Sequence, residues 1–146
     1  MRVYLDMCCL KRPFDDQSQP RIHLESEAVL ALLSAAAANV EFVRGAALDL
    51  ENDQNPLPQR AAKVRLWLTT MPAAPAPAEA LDKRTKELMA LGFKNFDALH
   101  VVSAEELAAE VLCTCDDRFL AAAKRHEAIL KLRVVNPIDL AREVLP

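Results

Sequence analysis

Glycine is nearly absent: Gly45 and Gly92 are the two in 146 residues. Neither lies in a phosphate-cradling loop, so nucleotide hydrolysis by a P-loop is excluded, and no serine stands in a nucleophile-elbow context. Aromatic residues make up 5% of the chain, too few for the interleaved rings and basic residues that read unpaired bases by stacking. Positive charge is not in excess either. A formal net charge of -3 argues against holding nucleic acid by bulk attraction to phosphate. It does not exclude a nuclease, because acids that bind a cation add negative charge that the ion offsets locally. The longest apolar run, Ala28 to Ala38, is broken by Ser34 and is too short to span a bilayer. A strand pattern begins within two residues of Met1, leaving no room for a leader. The expectation is a cytoplasmic protein with no membrane association.

Hydrophobic residues at 52% and charged residues at 27% describe a globular chain. At this length we expect one domain over residues 1–146, burying about two-thirds of the unfolded surface. The cysteines are Cys8, Cys9, Cys113 and Cys115. Their spacings do not match zinc knuckles, so they read as small buried hydrophobes at strand ends and interiors in a reducing compartment.

Strand-like and helix-like stretches alternate. Arg2 to Leu5, Val40 to Val43, Val111 to Cys115 and Lys131 to Val135 are short β-prone runs. Helical patterns cover Leu24 to Ala38, Ala46 to Asp53, a stripe of Leu57, Ala61, Val64, Leu68 and Met71, then Glu79 to Leu91, the segment from Asn95, the segment after Asp116, and Asn136 to Leu145. Lys11 to Asp16 reads as a loop barred from helix by Pro13, and Pro72 to Pro77 as a stiff connector. Gly45 marks a turn and Gly92 a left-handed helix cap. Lys83, Arg84 and Lys86 decorate an exposed helix face, and Trp67 flanks the apolar stripe as a core residue. The alternation predicts an α/β fold, a three-layer α/β/α sandwich around a central, mainly parallel sheet.

In such a sheet, acids at strand exits meet on one rim. Asp6 ends the first strand, Asp97 opens a helix where a carboxylate suits the positive dipole end, and Asp116 follows a β-prone run as an N-cap. A fourth acid comes from the helix carrying Asp49, Glu51 and Asp53, with Glu51 chosen. Carboxylates without thiolate or imidazole partners select a hard cation, Mg2+ or Mn2+. That suits phosphodiester hydrolysis. His100, three residues after Asp97 on the same side of its helix, is placed to support a metal-bound carboxylate or water. Lys11 and Arg12 lie a few positions from Asp6, where they would meet phosphate.

These residues resemble the PIN-domain ribonucleases, and more narrowly the toxin components of bacterial type II toxin–antitoxin modules. The likeness spans the whole chain. It rests on Tyr4-Leu5-Asp6, on Glu51 in Ala47-Leu48-Asp49-Leu50-Glu51-Asn52, on Phe96-Asp97-Ala98-Leu99-His100, and on Thr114-Cys115-Asp116-Asp117-Arg118-Phe119. The resemblance implies that Asp6, Glu51, Asp97 and Asp116 bind Mg2+ or Mn2+ and cut RNA, with Asp117 in support and Arg118 on phosphate. It also implies a homodimer and a small antitoxin partner. One departure is that Met7-Cys8-Cys9 stands where a threonine or serine commonly follows the first aspartate, with Thr114 as a substitute hydroxyl. Two other readings compete. A non-catalytic RNA-binding domain would not keep clustered acids, which cost stability without a cation. A haloacid dehalogenase-type phosphatase needs an aspartate where Cys8 stands.

Overall fold

The computed structural model describes residues 1–34, 38–71 and 78–146. Its central strand is β1 (Arg2–Leu5), whose Val3, Tyr4 and Leu5 are fully buried, as expected of a short apolar run covered on both faces. β1 pairs in parallel with β2 (Glu41–Val43) on one side and with β3 (Val111–Cys113) on the other, and β3 pairs in parallel with β4 (Arg133–Val135). The order is therefore β2-β1-β3-β4. The ladder runs past the strand ends. Asp6 donates its N–H to the Cys113 carbonyl at 2.9 Å and Thr114 donates to Val135 at 2.9 Å, so the exits of β1 and β3 are fixed side by side.

The chain leaves β1 through α1 (Met7–Lys11), a 3-10 turn (Arg12–Phe14) and α2 (Pro20–Ser34) to reach β2. It then passes through α3 (Ala46–Asp53), α4 (Pro58–Thr69), α5 (Ala78–Ala90) and α6 (Asn95–Glu106) before returning to β3. α7 (Asp117–Arg125) leads to β4, and α8 (Pro137–Val144) follows. The step from β1 to β2 runs opposite to the steps from β2 to β3 and β3 to β4, so right-handed crossovers put their helices on opposite faces. Packing agrees: α2 rests on α8 and α1, while α6 rests on α5 and α3, and α3 on α4. The result is the expected three-layer α/β/α arrangement with a parallel sheet.

Several local expectations change. Lys11 to Asp16 is not a plain loop, because Asp6 caps α1 by accepting the Met7 N–H at 2.8 Å and Pro13 is tolerated in the first turn of the 3-10 segment. Cys8 and Cys9 consequently lie in a helix rather than at a strand end. α2 begins at Pro20, ahead of Leu24, since proline is pre-organised for a first helical position. Positions 35–37 of that predicted helix, and the connector Pro72 to Pro77, lie outside the described residues. Leu57 caps α4 half-exposed, leaving Ala61, Val64, Leu68 and Met71 as the buried stripe. Trp67 packs on the core's edge and stacks on Phe14 at 5.4 Å. Arg84 is not a solvated charge: its guanidinium meets both oxygens of buried Glu105 at 3.1 Å and the Ile129 carbonyl at 2.8 Å. Such a fork joins α5 to α6.

Gly92 has φ +107, the backbone that favours glycine at a helix end. Gly45 serves a different need. A Cβ there would stand 2.8 Å from the Ser103 Cβ, so the absent side chain lets the start of α3 press against α6. Gly45→Ala should destabilise the protein by about 1–3 kcal/mol through overpacking. Urea unfolding measures this directly, and an unmoved midpoint would mean that α3 and α6 are free to separate.

Candidate metal centre

Asp6 is 5% exposed, an unusual position for a carboxylate unless it is well partnered. Its Oδ1 accepts the Met7 N–H at 2.8 Å. Its Oδ2 accepts the Thr114 hydroxyl at 2.8 Å and the Cys8 thiol at 3.2 Å. Behind it stands a buried imidazole. His100 Nε2 lies 3.4 Å from Asp6 Oδ1 and 2.5 Å from Glu51 Oε2, while its Nδ1 meets the Tyr4 hydroxyl at 2.8 Å. Burial, with Asp6 and Glu51 nearby, pushes the Tyr4 phenol well above its ordinary range. The Tyr4 phenol therefore keeps its proton beside Nδ1, and Nε2 faces Glu51.

Of the three acids on α3, Glu51 faces this cluster. Asp49 turns to Arg44 at 3.4 Å and Asp53 to Arg65 at 3.1 Å. The side-chain direction follows helical phase, which distinguishes Glu51 from neighbours two residues away. Asp97 lies in the first turn of α6, half-buried. Asp116 caps α7, its Oδ1 accepting the N–H groups of Arg118 at 2.9 Å and Phe119 at 3.3 Å.

The electrostatics link these groups. Asp97 is pushed up to about 6, first by burial and then by the negative charges of Asp6 and Asp116. Asp6 is raised well above the carboxylate range, chiefly by burial, with the His100 and Thr114 contacts opposing. Burial would lower His100, but its bond to Glu51 and the charges of Asp6, Glu51 and Asp97 leave it raised. Among the described residues, Asp6, Asp97 and Asp116 have no arginine or lysine salt-bridge partner, and the ion-pair partner of Glu51 is His100. Acids elsewhere, such as Asp15, Glu25, Asp53, Glu105 and Asp117, are matched with arginine. A pooled, uncompensated set of carboxylate oxygens fits a hard divalent cation. Asp6, Glu51 and His100 can each offer a ligand atom within 4.8 Å of the others, so the imidazole and the Cys8 thiol border the oxygen set that the sequence suggested was free of them.

The remaining sequence candidates separate. Thr114 supports Asp6 directly. Asp117 is turned away and held by both guanidinium nitrogens of Arg21 at 2.6 and 2.7 Å. Arg12 is engaged by Asp15 at 3.2 Å and lies 3.5 Å from Glu25, which leaves it facing the protein rather than a phosphate. Lys11 ends α1 half-buried. Arg118 lines a cleft of about 300 Å3 together with Lys94, Asp97 and Arg125. Sequence reasoning named Tyr4 and Cys8 without giving them a part in the site, and it missed Lys94 and Arg125. Lys94 had a local signal, standing three residues before Asp97 at the N-cap, whereas Tyr4 is recruited by a residue 96 positions away.

The raised groups fix a sign. A carboxylate or imidazole whose folded pKa exceeds its unfolded value stabilises the fold while protonated and loses that contribution as pH rises through the folded value. For Asp97 the window runs from its ordinary 3.8 to about 6, and Asp6 and His100 act in the same direction. The lowered acids Asp16, Asp117 and Glu143 act oppositely, at pH values below their ordinary 3.8 to 4.5, and the Cys115 thiol, lowered to about 5 by its contacts with Cys8 and Cys9, acts oppositely above that value. Relative to an Asp97→Asn variant, in which every other group is the same, chelated parent protein should therefore lose thermal stability from mildly acidic to neutral pH. Asp97→Asn should raise its neutral-pH melting temperature and flatten the slope. A variant that melts no higher than the parent would show that neither burial nor the neighbouring acids destabilise the charged Asp97.

The PIN domain family model matches residues 3–125 of the chain. No curated protein matches it by sequence. Among solved structures, the chain is similar to VapBC2 from Rickettsia felis, bound to a DNA fragment from its promoter. The TM-score is 0.59 at 16% identity, with 93% of this chain and 98% of that one covered. It is also similar to VapBC-1 from nontypeable Haemophilus influenzae, with a TM-score of 0.58 at 17% identity and coverage of 94% and 98%. With the sheet order, the strand-end acids and the family match over most of its length, the chain belongs to the PIN domain family.

Proposed function

We propose that this PIN domain is a Mg2+- or Mn2+-dependent endoribonuclease and the toxin of a toxin–antitoxin pair, acting in the cytoplasm as a single domain over residues 1–146. The reading is supported by Asp6 and Glu51 meeting at His100, by Asp97 feeling the charges of Asp6 and Asp116 although Asp97 and Asp116 lie outside that close group, and by the lack of a lysine or arginine salt-bridge partner for these acids among the described residues. Those acids would hold the ion, which when bound orients a scissile phosphate and makes a nucleophile of water. The chain's own residues do the rest. Met7 N–H, Thr114 and Cys8 fix the Asp6 carboxylate. His100 fixes Glu51 and can exchange a proton with its Oε2. Lys94, Arg118 and Arg125 border the cleft beside Asp97, where an RNA backbone finds positive charge despite the acidic chain.

The toxin reading is supported by the VapBC neighbours and by the family likeness of the site motifs. Exposed Leu24, Leu30, Leu57 and Leu66 offer apolar surface to an antitoxin or to a second copy in a homodimer. Light scattering, alone and after co-expression with the product of an adjacent short reading frame, tests both associations. Membership in the PIN family leaves the phosphatase reading without support. The surviving alternative is RNA binding without cleavage.

Asp6→Asn and Asp97→Asn should abolish metal-dependent RNA cleavage while the protein stays folded by circular dichroism. RNA that is bound but left intact by the parent protein, whatever the metal, would instead establish the non-catalytic alternative. Lys94→Ala with Arg118→Ala should weaken RNA binding and lower the salt slope by about 2, one for each lost phosphate contact. An unchanged slope would make these residues ordinary surface charges.

A further inference from the structure

The fold gathers three sulfurs that the acid site does not use as ligands. Each Sγ of Cys8, Cys9 and Cys115 lies within 4.8 Å of the other two. Cys9 and Cys115 are 3.7 Å apart, sulfur to sulfur. That is far beyond a disulfide bond of about 2.05 Å. It is close to the edge of about 3.8 Å that two Zn–S bonds of about 2.3 Å subtend at a tetrahedral angle. The set is built from both strand exits: α1 supplies Cys8 and Cys9, and the turn after β3 supplies Cys115. The Cys115 N–H donates to Cys8 Sγ at 3.2 Å, a bond that a thiolate keeps, whereas the bond that the Cys9 thiol donates to the Cys113 carbonyl at 3.3 Å is given up when Cys9 loses its proton. Cys9 and Cys115 are buried and Cys8 half-buried. The Arg12 guanidinium neighbours Cys115 and supplies the positive charge that a thiolate cluster needs. Cys113, the last residue of β3, is outside the group.

We propose that Cys8, Cys9 and Cys115 form a site for a thiophilic cation, Zn2+ or Cu+, directly behind Asp6. Soft thiolates select these ions, whereas carboxylate oxygens suit Mg2+ and Mn2+, so the adjoining sites discriminate by ligand chemistry. On binding, three S–H protons pass to solvent and three sulfur–metal bonds form. With Zn2+ the cluster keeps one net negative charge, which Arg12 faces. Cys8 joins the two sites. Its thiol donates to Asp6 Oδ2 at 3.2 Å, and a metal-bound sulfur has no proton to give. Filling the thiol site therefore removes a hydrogen bond from the acid site.

The full chain, kept reduced with a phosphine, is titrated with Zn2+ against a chromophoric chelator and with Cu+ against a Cu+-specific one. Co2+ serves as a spectroscopic probe, because a sulfur-to-cobalt charge-transfer band arises only at thiolates. The parent protein and Asp97→Asn should both bind Zn2+ or Cu+ and show the cobalt band, which separates this site from the acid cluster. Cys115→Ser and the less buried Cys8→Ser should bind at least about tenfold more weakly and lose the band. Cys113→Ser, an equal change at an equally buried sulfur, should keep both. Absence of the band in the parent protein overturns the proposal, and so does its persistence in whichever of the Cys115→Ser and Cys8→Ser variants folds. Preference for Zn2+ over Cu+, or the reverse, identifies the occupant.

Discussion

A carboxylate held out of water at the end of the central strand is the constraint on which the rest of this structure turns. Asp6 tolerates burial because Met7, Thr114 and Cys8 each donate to it, and because its own N–H continues the ladder to β3. Those donors come from α1 and from the turn after β3. Strand order, helix capping and site geometry are therefore a single arrangement. Shifting β3 by one residue against β1 would turn Thr114 to the other side of the sheet and strand the acid without its hydroxyl.

The second layer of organisation is a line of polar groups running inward from the rim: Glu51, His100 and Tyr4. Each member satisfies the next, and the line ends on a phenol inside the core. A buried network of this kind is stable only when every member is partnered. It also explains why α3 and α6 must approach so closely at Gly45. The network spans from one helix to the other, and its hydrogen bonds fix the separation that the missing side chain permits.

Much of this was legible in the sequence, for identifiable reasons. Strand exits and helix caps are local, so Asp6 and Asp116 could be placed from their neighbours alone, and α3 was bounded at Ala46 and Asp53 as observed. The short helix α1 was not, because its stability comes from the Asp6 cap and from packing rather than from periodicity. The choice of Glu51 over Asp49 and Asp53 depends on what α3 lies against. Arg84 looked like surface charge until Glu105 was found beside it. The cysteines are free and, apart from half-buried Cys8, buried in the core as their sequence context suggested, but their spacing along the chain gave no sign that three sulfurs meet once α1 and the turn after β3 are brought together across 106 positions.

The strand order carries a consequence for synthesis. Both neighbours of β1 come later in the chain, and β3, which supplies Thr114 and leads to Asp116, starts only at Val111. A polypeptide still emerging from the ribosome therefore exposes Asp6 first but cannot form the complete rim. Glu51 and Asp97 appear in turn, with no β3 to order them. Four-fifths of the chain must be made before the acids can meet. The topology thus withholds the assembled rim until β3 and the start of α7 have been made.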